Sequence, residues 1–239
     1  MTLEKLTEEL KSACSANLKS VILYGSAAAG DHTGKRSDYN VLVVTEGLGR
    51  SELLAFSKTA KAWAKAGNPA PLLFTMERLN KSTDVFPVEL LDIKECHKIL
   101  FGEDVVSDLD ISTDNLRLQI EHELRGNLIQ LRQQYLLSAG NAKEVCNLMV
   151  RSLSSFLVLF RASLRLFGSD VPQKKFQALE KLNETIPLPL DVFRSVQELK
   201  DGSVKPKAVD AEALFEEYIK TIECVTDAVD AHIQKENAS

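Results

Sequence analysis

The sequence predicts an α+β protein, in which a small sheet with flanking helices precedes an all-α antiparallel helical bundle. Up to about residue 112, short runs of β-branched and other apolar residues alternate with helical patterns. Beyond that point no strand pattern occurs, and long apolar stripes recur at helical spacing. The predicted domains are therefore residues 1–108 and 109–239. A hydrophobic content of 44% is high enough for such domains to fold around cores.

The first domain is predicted to combine two helices with four strands. In chain order the patterns predict a helix with an apolar stripe over 3–13, strands at 21–25 and 41–44, a helix at 51–66, and strands at 71–75 and 85–93. Glycine at position 67 favours the end of the second helix. Pro87 places the start of the last strand at a sheet edge or after a bulge, because proline cannot donate a ladder hydrogen bond.

The second domain is predicted to be a bundle of five helices. Their apolar stripes lie at 116–135, 145–167, 176–182, 192–199 and from 209 onward. The second of them is apolar on several sides, which is typical of the central helix of a bundle. The exposed side of the bundle offers a surface for a homodimer.

Composition and charge exclude several classes of protein. The net charge of −5 argues against binding to long nucleic acids, because no overall basic field attracts the phosphate backbone. The N-terminal segment lacks the apolar core of a signal peptide, and the densest apolar stretch, FLVLF at 156–160, is too short to span a bilayer. The four cysteines show no metal-binding or redox spacing. The sequence thus predicts a cytoplasmic protein with no membrane partner.

One segment, residues 21–44, carries a pattern with chemical meaning. A predicted strand ends at Gly25 and Ser26, a spacer of eleven residues follows, and Asp38 stands at the start of the next strand. Glycine allows close approach of a ligand to the backbone, and a serine with backbone N–H groups at a helix start binds phosphate oxygens. Asp38 and Asn40 are two residues apart, so in a strand they project to one face. This pattern favours a phosphate site over an ordinary turn.

The pattern resembles the signature of the DNA polymerase β-like nucleotidyltransferase superfamily, which has Gly-Ser, a spacer of this length, and two acidic residues separated by one apolar residue. A minimal nucleotidyltransferase domain with a mixed sheet, followed by a helical bundle, is similar to the kanamycin nucleotidyltransferase family. The resemblance implies Mg²⁺-dependent transfer of a nucleoside monophosphate from a nucleoside triphosphate, ATP in the first instance. The acceptor would be a hydroxyl group of a small molecule or a protein.

The resemblance also implies roles for individual residues. Gly25 and Ser26 would hold phosphates, Asp38 would be the main Mg²⁺ ligand, and Glu89 would be the third acidic group and base. Asp92 is the alternative to Glu89, on the opposite face of a regular strand. Further candidates, for pairing with the triphosphate, are Lys35 and Arg36 of the spacer.

The chain departs from the signature at Asn40, where the family has its second acidic residue. An amide offers one neutral oxygen and cannot bridge two cations as a carboxylate does. Three interpretations stay open: an enzyme with a weakened metal site, a nucleotide-binding or antitoxin-like module without catalysis, and an inactivating Asp-to-Asn substitution. A fourth hypothesis, an RNase site made by Arg117 and His122, is disfavoured because polar residues on a helix are usually just a solvated face.

Overall fold

The computed structural model describes residues 1–14, 16–30 and 38–232, and the chain divides into two compact units, Met1–Thr113 and Asp114–Ser239. The first unit contains α1 (Leu3–Cys14), β1 (Leu18–Tyr24), β2 (Asn40–Thr45), α2 (Arg50–Lys65), β3 (Leu72–Thr75), α3 (Met76–Asn80), α4 (Pro87–Glu95) and β4 (His97–Gly102). The second contains α5 (Leu116–Ser138), α6 (Ala142–Leu166), α7 (Lys175–Thr185), α8 (Leu190–Asp201) and α9 (Ala211–Ala231). The predicted α+β fold class is confirmed.

The four strands form one mixed sheet in the order β3-β2-β1-β4. The central strand β1 is antiparallel to β2 and to β4, whereas β2 is parallel to β3. At the end of β1, Tyr24 pairs with Asn40 of β2 on one side and with His97 of β4 on the other. Cross-strand partners project to the same face of a sheet, so these three side chains lie in one row.

Each face of the sheet is covered by helices, which explains the continuous apolar runs in β1 and β2. On one face, strand residues pack against α1 and α2 in a core of Leu6, Leu10, Val21, Leu23, Val41, Val43, Phe56 and Trp63. On the other face, the core contains Ile22, Leu42, Val44, Leu79 of α3, and Leu90 and Ile93 of α4. We call these the α2 face and the α4 face.

The prediction of a strand at 85–93 is wrong, because this segment forms helix α4. Pro87 occupies the first turn of α4, where a missing N–H costs nothing and the fixed φ of proline suits a helix. Leu90 and Ile93, three residues apart, face the sheet and are buried. The fourth strand is instead β4, which begins at His97, and the sequence analysis missed it.

Helix α6 is the central helix of the second unit, as predicted, and packs against α5, α7, α8 and α9. Its length and composition would allow it to cross a membrane, and 61% of its most apolar stretch is buried inside the protein. An aromatic cluster fills the core beside it, with the Phe160 and Phe193 rings 5.4 Å apart and the Phe156 and Tyr218 rings 6.0 Å apart. The apolar character of α6 is thus explained by packing within the bundle.

Candidate functional site

The turn after β1 has a backbone conformation that requires glycine. Gly25 has φ of +75° and begins a short 3-10 turn, Gly25–Ala27. The N–H groups of Ala28 and Ala29 both donate to the Gly25 carbonyl oxygen, each at 3.0 Å. An L residue with a side chain is strained at this φ, whereas glycine adopts it freely. Ser26, the other predicted phosphate ligand, is half-buried in the same turn.

This turn lies directly against the start of β2. A Cβ atom added to Gly25 would stand 3.3 Å from the Asn40 side-chain nitrogen, so the absence of a side chain at Gly25 leaves the room that Asn40 uses. Asn40 is half-buried and pairs with Tyr24 across the sheet. The structure therefore brings Gly25, Ser26 and Asn40 together at one end of the sheet.

Asp38 precedes β2 and is exposed. Between Asp38 and Asn40, the Tyr39 ring packs on the α2 face, with its centroid 6.1 Å from that of Trp63. The Tyr39 N–H donates to the Asn68 side-chain oxygen at 3.0 Å, which fixes the backbone just before β2. Because side chains alternate along a strand, Asn40 is directed to the same side of the sheet as Leu42 and Val44, which is the α4 face.

Glu89 comes from a different element than predicted. It is an exposed residue in the first turn of α4, the helix that covers the α4 face. Burial raises the pKa of the nearby Tyr24 phenol, and the negative charge of Glu89 raises it further. Glu89 thus lies close enough to Tyr24, the cross-strand partner of Asn40, to influence its ionisation. On a helix Asp92 falls on the same side as Glu89, not on the opposite side as a strand would require.

A histidine–aspartate pair, which the sequence analysis missed, anchors α4 beside this row. His97 Nδ1 donates to the carbonyl oxygens of Ile93 (3.0 Å) and Lys94 (3.2 Å) at the end of α4, and Nε2 faces the Asp104 carboxylate at 3.3 Å. The Asp104 carboxylate also accepts hydrogen bonds from the Ser107 hydroxyl and backbone N–H. Although partial burial opposes it, this set of donors holds the pKa of Asp104 well below its usual range.

The side chains at this end of the sheet suit a cation that arrives with phosphate. Among the described residues, no group of three or more histidine, cysteine, aspartate or glutamate side chains is arranged to hold a metal ion. Mg²⁺, however, is usually bound by one or two carboxylates together with substrate phosphates and water. Asp38 and the Asn40 amide oxygen are hard oxygen donors of the kind that Mg²⁺ prefers.

Two sets of predicted residues lie apart from this arrangement. Lys35 and Arg36 lie outside the described residues. On α5 the Arg117 guanidinium donates to Glu121 at 2.6 Å and is mostly buried, whereas His122 is exposed. Since residues five apart on a helix point about 140° away from each other, Arg117 and His122 do not form a joint site there.

Comparison with known proteins identifies the fold. No family model matches the chain, and no curated protein matches its sequence. The crystal structure of spectinomycin adenyltransferase AAD(9) from Enterococcus faecialis with ATP and spectinomycin matches with a TM-score of 0.60 and 11% identity. That match covers 92% of this chain and 98% of the adenyltransferase. A toxin-antitoxin structure with AMP-PNP matches 54% of this chain and 97% of its own, with a TM-score of 0.32 and 18% identity. The chain therefore has a nucleotidyltransferase fold, as AAD(9) does.

Proposed function

We propose that the protein binds ATP at the turn formed by Gly25 and Ser26 and transfers its adenylyl group to a hydroxyl acceptor. One observation supports this proposal above all: the turn packs against Asn40, whose side-chain nitrogen lies 3.3 Å from the position that a Cβ atom on Gly25 would occupy. The chain that contains this turn has a nucleotidyltransferase fold. A glycine turn with no side chain to block it lets phosphate oxygens reach backbone N–H groups. The neighbouring Asp38 supplies negative charge for the cation that accompanies a triphosphate.

Each residue has a distinct part in the proposed reaction. Gly25 and Ser26 bind phosphate oxygens, and Asp38, with Asn40 as a weak second donor, holds Mg²⁺. When bound, Mg²⁺ supplies charge stabilisation at the phosphates. The acceptor oxygen forms a bond to the α-phosphorus while the bond to pyrophosphate breaks, and Glu89 takes the proton that the acceptor hydroxyl loses. The acceptor is a small molecule or a protein. The AAD(9) structure, which contains spectinomycin, makes a small molecule our first choice.

A second candidate function, nucleotide binding without transfer, is favoured by one observation, namely the neutral amide of Asn40. Compared with the acidic residue of the signature, Asn40 brings one negative charge fewer to the cation site. The free energy of Mg²⁺ binding is then less favourable by several kcal/mol, judged by the size of metal effects in catalysis. A protein of this kind would sense a nucleotide or present a nucleotide-dependent surface, as an antitoxin-like module does. Both candidates require the same complex with ATP.

The complex is tested by calorimetric titration of the full chain with a non-hydrolysable ATP analogue, with and without Mg²⁺. We expect binding that strengthens with Mg²⁺ and that weakens at least about tenfold in Asp38→Ala. The matched control is Glu46→Ala, because Glu46 stands at the opposite end of β2, where it forms a surface pair with Lys19. No binding by the wild-type chain, or equal weakening in both variants, would refute the proposal.

Transfer is then tested with radiolabelled ATP and a panel of hydroxyl-bearing acceptors. Labelling by the wild-type chain that is lost in Asp38→Ala supports the enzyme. Labelling that appears only in Asn40→Asp, while the wild-type chain binds ATP, supports the non-catalytic module. Asn40→Gln is the control for the Asp variant, since it changes the side chain without adding charge.

A further inference from the structure

Helix α5 exposes an apolar surface on the side opposite its buried face. Its buried face contains Leu116, Ile120, Leu124, Leu128 and Leu131. On the other side Leu118, Ile129, Leu136 and Leu137 are 56%, 54%, 78% and 90% exposed. These are four of the ten large apolar residues that are exposed in the described part of the chain, and they lie on one helix. Clustering of this kind marks an interaction surface, whereas single exposed apolar residues are ordinary.

Gly126 lies in the middle of this surface, and neither its backbone conformation nor its packing within the chain requires glycine. Gly126 is inside α5, where glycine lowers helix stability relative to alanine. A Cβ atom added there would meet nothing within 4 Å, so no packing within the chain excludes a larger residue. It lies in a shallow, open hollow on the surface of α5, lined by Leu118, Glu121, His122, Arg125, Gly126 and Ile129. A bare backbone in such a hollow lets another chain approach closely.

We propose that this surface, the α5 face, binds a second copy of the chain, with the two α5 helices packed antiparallel. The hollow at Gly126 and the exposed Ile129 lie three residues apart on one face, so the surface is complementary to itself. A twofold axis between residues 127 and 128 places Ile129 of each copy over Gly126 of the other. The same axis brings Leu118 of one copy level, along the helix, with Leu137 of the other.

The charges beside the α5 face favour a second copy in this antiparallel arrangement. Glu121 and Arg132 are eleven residues, or about three turns, apart and therefore lie on the same flank of α5. In the antiparallel pair, Glu121 of one copy comes within about two residues of the level of Arg132 of the other, or roughly 3 Å along the helix. Arg132 already pairs with Glu223, and Glu121 with both Arg117 and Arg125, so the contact extends ion pairs that exist within each copy.

Light scattering coupled to size-exclusion chromatography of the full chain tests the association. We expect a dimer for the wild-type chain, and dissociation constants raised at least about tenfold in Ile129→Glu and in Gly126→Leu. Gly126→Ala, which favours the helix, is expected to weaken the dimer while leaving the circular dichroism spectrum unchanged. Leu54→Glu, at a 64% exposed position on α2, is the matched control and should leave the dimer intact.

Disulfide trapping tests the orientation, in chains where the exposed Cys224 is replaced by serine. A mixture of Leu118→Cys and Leu137→Cys chains is expected to form a mixed disulfide dimer, whereas either variant alone stays uncrosslinked. A monomeric wild-type chain would overturn the proposal and leave the α5 face to a different protein. A dimer that Ile129→Glu and Gly126→Leu do not weaken, or crosslinks formed by either cysteine variant alone, would overturn it as well.

Discussion

Two glycines with left-handed backbone conformations lie near opposite ends of the central strand, and they differ in what surrounds them. Gly25 (φ +75°) follows the end of β1, and Gly102 (φ +80°), the last residue of β4, pairs with Ser20 near the start of β1. A Cβ atom at Gly102 would stand 1.8 Å from the Lys19 carbonyl oxygen, which is backbone. A Cβ atom at Gly25 would meet the end of one side chain, Asn40, at 3.3 Å.

This difference separates a structural end of the sheet from a candidate functional end. At Gly102 two backbones are in contact, so nothing can move aside or enter. At Gly25 the neighbour is the end of one polar side chain, which can shift more easily than backbone. Glycine at position 102 permits the close pairing of β1 with β4, whereas glycine at position 25 is the one for which we propose access of a ligand to the backbone.

The largest effect on folding is expected for Gly102→Ala. The new methyl group collides with the Lys19 carbonyl and the left-handed φ is strained, so the free energy of unfolding should fall by at least about 3 kcal/mol. Urea denaturation followed by circular dichroism measures it. Any protein that remains folded should bind the ATP analogue as the wild-type chain does. A loss below about 1 kcal/mol would show that the strand ends are not in backbone contact.

A smaller loss of stability, about 1–2 kcal/mol, is expected for Gly25→Ala, because strain at a left-handed φ remains but only a side chain must move. Binding of the ATP analogue should nevertheless weaken at least about tenfold, since the methyl group covers the turn. The double variant Gly25→Ala/Asn40→Ala separates the two causes. Removing the Asn40 side chain should restore the part of stability lost to contact, and full additivity of the two single changes would contradict the contact.

The sequence predicted the Gly25 end of the sheet better than the Gly102 end. Glycine and serine after an apolar run announce the turn locally, and the two strands around it are short and well bounded. Near α4 the run FPVELLDI fits a buried strand and a buried helix equally, and only burial of Leu90 with Ile93 at helical spacing decides between them. Strand β4 begins two residues after α4 ends, which hid the boundary between them. The position of Glu89 therefore required the structure, and its chemical role remains a prediction.

The start of β4 offers a third test, since His97 and Asp104 fix it as Gly102 fixes its end. Replacing Asp104 by asparagine removes the charged acceptor, and we expect a loss of about 1 kcal/mol at pH 7. The loss is modest because the Asp104 side chain is 39% exposed. The lowered pKa of Asp104 gives stability that is fully present above the ordinary aspartate pKa, about 3.9, declines as pH falls below that value, and is lost only as pH drops through the lowered pKa.

Thermal unfolding from pH 7 to pH 3 of wild type and Asp104→Asn checks this dependence. The difference between the two curves should be constant above pH about 5 and should shrink as pH falls below about 4, because protons then begin to bind Asp104 in the unfolded chain. Asp108→Asn, an exposed residue of the same unit, is the control and should follow the wild type. A difference between wild type and Asp104→Asn that is constant across this range would mean that the carboxylate charge does not stabilise the anchor.

The smallest effect on folding is expected at the candidate site itself, for Glu89→Gln. Because Glu89 is exposed, the change in free energy of unfolding should stay within about 0.5 kcal/mol. The pKa of Tyr24 should fall, yet remain above that of a free tyrosine, because burial is the larger cause of its rise and burial persists. Ultraviolet titration against Tyr24→Phe isolates that phenol, and Glu95→Gln at the far end of α4 is the control.

If Glu89 takes the acceptor proton, adenylyl transfer falls about 10²-fold or more in Glu89→Gln while ATP binding is kept. Unchanged ionisation of Tyr24 would place Glu89 away from the row that contains Asn40, and with it away from the proposed reaction.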